Sequence, residues 1–557
     1  MSFRLTSWWR ALLLGLGGSA LFFVGVATAQ PARGPAAKPQ PGIDVQDYDF
    51  ALTLSDTTDR IEGTATVRLR VTTDTLTAVR LDLIGRNQAQ AAAPSRMTGM
   101  EVTSVTEEAQ AVPYRHRNDI LHIAPPSGLA AGQTHTFRIR YAGIPADGLI
   151  IGTNQHGNRT FFGDNWPNRA RHWLPVVDHL SDKATVEFRV TAPSTYEVVS
   201  NGALVSDSTS GDTRVTHWRS DVPLPPKIMV IGVADFAVAT AGTVDGVPVQ
   251  SWVYPEDRAT GFRDLGQAPP ILRFFEENLG PYPYEKLANV QSTTRYGGME
   301  NAAAIFYSEK AVADGKDSTP LLAHEMAHQW YGNTVTEADW SHLWLSEGFA
   351  TYLTGLYLEH ARGTTALARF MRQARTRVAT FHEKNPDEPL VDTTYSDPTE
   401  LLNTNPYQKG AWVLHMLRRE VGTDTFWDGL RAYYDRYRHQ NASTRDFRAV
   451  MEEVSGQDLK QFFDQWTRRP GHPVIEGTWR YDEAAGECVV MLRQTQAEPP
   501  FEVPVEVALG DAPMHTTTLF LDDREGQSRV DCPQAPSSVT LDPHTELLAE
   551  LSMRRVE

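Results

Sequence analysis

The chain's most chemically loaded stretch is His324-Glu325-Met326-Ala327-His328. On a helix, residues four apart project from one face, so the two imidazoles can hold a single Zn²⁺ between them. A catalytic zinc takes three protein ligands and leaves a fourth position open. Glu347 offers the third ligand, with 18 residues between it and His328, in the run Trp344-Leu345-Ser346-Glu347-Gly348. Glu325 lies inside the motif but off the ligand face. Its carboxylate can reach a water at the open position and take its proton, the part of a general base. Bound zinc lowers the pKa of such a water to about 7, so the set reads as a water-activating centre.

Two helices must deliver these groups. Thr319 suits the N-cap of the first, Pro320 its opening turn and Gly332-Asn333 its end. The second is expected from near Asp339 to Arg362, with Gly363 just past its end. A short turn between them makes the pair antiparallel. At 1.5 Å per residue, Glu347, about eight residues into the second helix, returns level with the histidines. Strands are expected at 249–254 and 287–292. Two later helices carry core stripes, Phe426, Leu430, Tyr433, Tyr437 and Phe447, Val450, Met451, Val454.

Either side of this region the texture is β. Ala65, Val67, Leu69 and Val71 alternate with polar residues, as do Phe137, Ile139, Tyr141 and Val186, Phe188, Val190. Period two marks antiparallel sheets with one buried face. After Pro470-Gly471-His472-Pro473 the alternation returns at Val503, Val505, Val507 and Leu509, which suggests a small β-sandwich. The organisation expected is therefore an N-terminal β domain at 47–239, a mixed and then helical unit at 240–472, and a β-sandwich at 473–557.

At 557 residues the chain has room for three or four domains of about 150 residues. With 52 basic against 69 acidic residues, net −17, it is a poor match for phosphate backbones, so no nucleic-acid partner is expected. Arg4 and Arg10 flank the start of a 16-residue apolar run, 11–26, and Ala27-Thr28-Ala29 follows. This reads as a signal peptide, 1–29, cut before Gln30. The run falls short of the roughly 20 residues a membrane span needs, although a retained anchor is the alternative. The mature chain is expected outside the cytoplasm, periplasmic or secreted, without stable membrane insertion. Residues 30–46, rich in Pro, Ala and Gly at their start, read as a flexible leader. Cys488 and Cys532 are the only cysteines, either a disulfide or two buried thiols.

Gly297-Gly298-Met299-Glu300-Asn301 stands with 22 residues between it and the histidine motif, and Asn405-Pro406-Tyr407-Gln408-Lys409-Gly410 follows it. Together with His324, Glu325, His328 and Glu347, these segments resemble the zinc aminopeptidase family of aminopeptidase N and leukotriene A hydrolase, gluzincin metallopeptidases. Arg169-Ala170-Arg171-His172-Trp173-Leu174-Pro175 with Asp178, and Lys183-Ala184, resemble the family's N-terminal domain where it faces the cleft. The resemblance covers roughly 47–473. It implies a β saddle, a thermolysin-like α/β catalytic domain and one Zn²⁺ per chain. It also implies that Gly297, Gly298, Met299 and Asn301 line the substrate cleft, that Glu300 binds the substrate's free α-ammonium, and that Tyr407 donates to the oxyanion. The implied activity is hydrolysis of the N-terminal peptide bond of peptides, with zinc-bound water as nucleophile. The rivals are a thermolysin-type endopeptidase, which shares the zinc arrangement, and a catalytically silent binding protein of the same fold. Departures from the family pattern are Asp164 and Trp166 near a position that is Gln in many members, Ser346 where Asn is usual, and Leu402 where leukotriene A hydrolase has Tyr. The residues after 473 replace a large helical domain.

Overall fold

A computed structural model describes residues 40–74, 76–86, 98–510 and 515–557; the expected signal segment 1–29 and the first part of the leader lie outside them. The N-terminal part is built on an eight-stranded sheet. Its order runs Ala203–Ser210, Thr213–Leu224, Ala184–Pro193, Ile43–Thr53, Ile61–Val71, Thr134–Ile144, Gly99–Glu107, Gln110–Ala111. The alternation read from the sequence is the alternation of burial: Ile61, Gly63, Ala65, Val67, Leu69 and Val71 face inward. The sheet is not antiparallel throughout. Ile43–Thr53 and Ala184–Pro193 run parallel, Phe50 opposite Phe188, with four other strands of the same sheet between them in sequence. Tyr48, Phe50, Phe188 and Trp173 stack in succession beneath the sheet. Each such buried ring is worth about 1.5–3 kcal/mol over an exposed one.

A mixed five-stranded sheet follows, ordered Ala237–Val244, Val247–Val253, Leu287–Ser292, Ala304–Ser308, Gly298–Met299. Leu287–Ser292 is buried along its whole length, as a central strand with parallel neighbours on both sides must be. Gly298–Met299 is the edge strand, antiparallel to Ala304–Ser308. Helices then dominate: Thr319–Ala327, Trp344–Arg362, Thr364–His382, Gly410–Val421, Thr423–Tyr437 and Thr444–Ser455. The molecule is thus multidomain α and β, with a β-rich N-terminal part and a helical region that carries the histidine motif.

The C-terminal strands make a four-stranded and a three-stranded sheet. The last strand, Glu550–Arg555, runs parallel to Val474–Asp482. These sheets lean on the helices through a buried Arg375–Asp542 ion pair and a His415 Nε2–Thr545 carbonyl hydrogen bond of 3.0 Å. Cys488 and Cys532 are buried side by side there, sulfur to sulfur 2.7 Å. No helix among the described residues is long and apolar enough to cross a membrane.

Candidate metal centre and substrate cleft

The motif helix Thr319–Ala327 starts one residue earlier than expected: Ser318 is its N-cap and Thr319 its first residue. The Asp317 carboxylate accepts from the Thr319 N–H at 3.1 Å, and Pro320 sits in the first turn. It ends earlier than expected, at Ala327 rather than at Gly332-Asn333. His328 is the C-cap, still with helical backbone angles, so its imidazole keeps its one-turn relation to His324. Beyond it the chain winds into tight turns, with Trp330 N–H bonded to Ala327 O (3.2 Å) and Asn333 N–H to His328 O (3.1 Å). Gly332 has φ +117°, and a side chain there would collide with the Ser346 hydroxyl and crowd His328 Nδ1. Only glycine satisfies both conditions.

The second helix is also shorter than expected. Asp339 accepts from Ser341 N–H at 2.9 Å and so caps a separate 3₁₀ turn, Trp340–His342. The α-helix begins at Trp344, which puts Glu347 in its first turn rather than about two turns in. There the helix dipole favours a carboxylate. Trp330, Tyr331, Trp344 and Phe349 are buried beneath the two helices, with the Tyr331 and Phe349 rings 4.7 Å apart. The apolar floor fixes the helix pair.

The donors of His324, His328 and Glu347 converge. The two Nε2 atoms are 3.2 Å apart, and each lies 3.3 Å from Glu347 Oε2. A tetrahedral zinc with ligands at about 2.1 Å has donor–donor edges of about 3.4 Å. The triangle is therefore one face of such a tetrahedron, and the residues fit zinc with one position left for water or substrate. His328 Nδ1 lies 3.2 Å from Tyr331 O and 3.1 Å from Ser346 Oγ. A carbonyl can only accept, so Nδ1 carries the proton and leaves Nε2 free to ligate. Burial disfavours charge on His328, but Glu347, Glu300 and Glu325 around it raise its pKa to about 9. A metal cation takes the place of that proton.

Glu325 is 5% exposed. Burial pushes its carboxyl well above the ordinary range, with His328 opposing and Glu300 and Glu347 adding to the rise. A side chain at Gly298 would collide with the Glu325 carboxylate, which explains the glycine on this edge strand. Glycine at 297 is exposed, while Met299, Glu300 and Asn301 are buried. Gln329 Nε2 donates to the Glu300 backbone carbonyl at 2.9 Å, and Asn333 Nδ2 does so at 2.6 Å. Glu300, just past the edge strand, is thereby tied to the end of the motif helix and the turn after it. The Asn301 side-chain amide is buried without a hydrogen-bond partner among the described residues.

Tyr407 stands on a π-helical turn, Asn405–Lys409, that runs into the helix Gly410–Val421. Its ring stacks on His324 at 6.1 Å, and its hydroxyl hydrogen-bonds the Glu347 carboxylate. The two helices approach closely at Gly348 and Gly410, where a Cβ would meet backbone at 2.9 Å. Asp164 is fully buried in an ion pair with Arg169, and Trp166 packs edge-on against Tyr296 and Trp340. Sequence reasoning missed Gln329 and Asn333. Their only signal was two amides in the turn after the second histidine.

Comparison with known proteins agrees with this geometry. The Peptidase M1 N-terminal domain matches residues 45–226, and the Peptidase family M1 domain matches residues 263–466. Aminopeptidase M1-A of Oryza sativa subsp. japonica is 31% identical over 324 residues, which cover 56% of this chain and 37% of the relative. Glutamyl aminopeptidase of Homo sapiens is 30% identical over 330 residues, covering 56% and 34%. Aminopeptidase M1 of Arabidopsis thaliana is 28% identical over 323 residues, covering 56% and 37%. The chain spans little more than a third of the length of these relatives. The two domain matches fall in N-to-C order, the second encloses the histidine–glutamate triangle, and the chain belongs to peptidase family M1.

Proposed function

We propose that the chain is a zinc-dependent aminopeptidase, a hydrolase that removes the first residue of peptides with a free N-terminus. The observation that carries this reading is Glu300, a buried carboxylate whose backbone is held by Gln329 and Asn333 next to the metal triangle. A carboxylate at that place takes the substrate's ammonium and counts one residue in from it. In this reading His324, His328 and Glu347 hold one zinc, which polarises the scissile carbonyl and acidifies water when bound. Glu325 accepts the proton of the attacking water and passes it to the departing amine nitrogen. Its raised pKa suits a group that must both take and return a proton. Tyr407 donates its hydroxyl to the oxyanion, and the stacked His324 ring keeps it aimed. Gly297, Gly298 and Met299 present the edge strand to the peptide, with Asn301 buried just after it.

The finer architecture we propose is a β saddle, a thermolysin-like unit and a β-sandwich from 473, with the expected bounds at 47 and 239 moved to 43 and 236 so that the strands Ile43–Thr53 and Ala237–Val244 stay whole. Residues 1–29 are proposed as a cleaved signal, so the mature enzyme works outside the cytoplasm. A panel of free and N-acetylated aminoacyl arylamides, with and without chelator, tests the activity. Turnover of the free compounds alone, lost to chelator, is expected. Equal turnover of both would return the endopeptidase reading, and no turnover by the zinc-loaded protein would favour a silent binding protein.

A further inference from the structure

Lys183 precedes the strand Ala184–Pro193 of the large N-terminal sheet, yet its side chain ends in the catalytic region. Its Nζ donates to Thr334 O at 2.9 Å, Gln440 O at 3.0 Å and Asn333 O at 3.3 Å. An ammonium has three N–H donors and no acceptor, so three carbonyls use it completely. Burial pulls the amine down to about 7, with Glu337 opposing; the three carbonyls favour the protonated form. A second lysine, Lys227, pairs with Glu337 at 2.7 Å in the same region, both side chains buried.

The gripped segment has two functions at the site. Asn333 N–H donates to the carbonyl of His328 (3.1 Å), and Asn333 Nδ2 donates to the carbonyl of Glu300 (2.6 Å). One residue thus touches the backbone of a metal ligand and of the proposed ammonium binder. Its own carbonyl, and that of the next residue, are held from the other domain. We infer that Lys183 is a positioning residue that sets His328 and Glu300 relative to each other from the N-terminal domain, through Asn333. The Glu300 half rests on the aminopeptidase reading; the His328 half rests on the metal triangle alone.

The test compares full-length wild type with Lys183→Met and Lys183→Arg, all zinc-loaded. Three quantities are read: the rate of zinc loss to a chelator, KM against kcat on free aminoacyl arylamide, and Tm. Lys183→Met is expected to lose zinc about 10-fold faster, the scale of effects from groups that support metal ligands. KM for the free substrate is expected to rise about 10-fold with kcat little changed. Lys183→Arg keeps the charge, but its planar fork does not match three carbonyls around one nitrogen, so it should fall between. A lower Tm with zinc loss and KM both at wild-type values would overturn the inference and leave Lys183 a simple domain staple. Should the Met variant not fold, the Arg variant is judged by the same two readouts. A wild type with no preference for free substrate would instead sink the aminopeptidase reading, and the chelator rate then decides the role of Lys183.

Discussion

Glu325 and Glu347 are both buried carboxylates in one small site, and their surroundings push them in opposite directions. Burial works against the charge on Glu347, but His328 and His324 hold its carboxyl well below the ordinary range. Glu325 is driven up by burial against the pull of His328. Opposed shifts of this kind separate a permanent anion from a proton carrier. Glu325→Gln should therefore keep its zinc, by metal analysis, and lose turnover by several orders of magnitude. A near wild-type rate would remove Glu325 from the chemistry. Tyr407→Phe deletes one hydroxyl and leaves the ring stacked on His324. Its kcat should fall by roughly 10²–10³ with little change in KM, because that bond strengthens only as the oxyanion forms. An unchanged kcat would leave Tyr407 a packing residue. The metal ligands were legible from type and spacing alone, since helical period dictates the histidine pair. Ser346 as a partner of His328 Nδ1 was not, because that contact depends on how the turn at Gly332 closes.

Among the elements, the ones read correctly are those whose signal is periodic. In the two stripes Phe426, Leu430, Tyr433 and Phe447, Val450, Met451 are buried as read, while Tyr437 and Val454 at their ends are only half-buried. The misread ones depend on local backbone bonding: the early end at Ala327 and the 3₁₀ turn capped by Asp339. The π turn under Tyr407 is of the same local kind. A π turn adds one residue to a helical circuit, and such turns gather at functional sites. No periodicity announces it. The π turn and the end of the helix Thr364–His382 meet the start of the C-terminal β part at a cluster of buried bases. The rings of His382 and His472 lie 5.6 Å apart, with Lys409 beside them. Burial first, then Lys409 and His472, lowers His382 to about 3. The unfolded chain protonates it near 6.5, so between those values the unfolded state binds the extra proton. This contribution to stability is complete above about pH 6.5 and is lost as pH falls towards 3. His382→Gln should lose less Tm than wild type between pH 7 and pH 5. Parallel acid losses in the two proteins would shift the acid sensitivity to another group.

At the scale of the whole molecule, two β parts bracket a helical unit, and the cleft is assembled from pieces far apart in sequence. Lys183 and Asn333 meet across 150 residues. Such contacts leave no trace in local pattern, which is why the order of the parts was legible and their joints were not. The proposed signal segment makes a direct prediction: the mature protein should begin at Gln30 by N-terminal sequencing, and a chain starting at Met1 in the exported fraction would favour a retained anchor. The remaining question is where on a peptide the assembled cleft cuts. Glu300 is buried at the edge strand, so an ammonium bound to it is desolvated with it. Removing one partner of such a pair costs a few kcal/mol, because the other stays buried and unpaired. Two changes should then act alike. Acetylating the substrate should abolish cleavage by wild type, and Glu300→Ala should lower kcat/KM on free peptide by about 10²-fold or more. Combined, they should cost far less than the sum, since both delete the same pair. A decapeptide followed by mass spectrometry should shorten one residue at a time from its N-terminus, and only when that terminus is free. Internal fragments from free and acetylated decapeptide alike would mean that the metal triangle cuts without reference to the ammonium, and that Glu300 has another task.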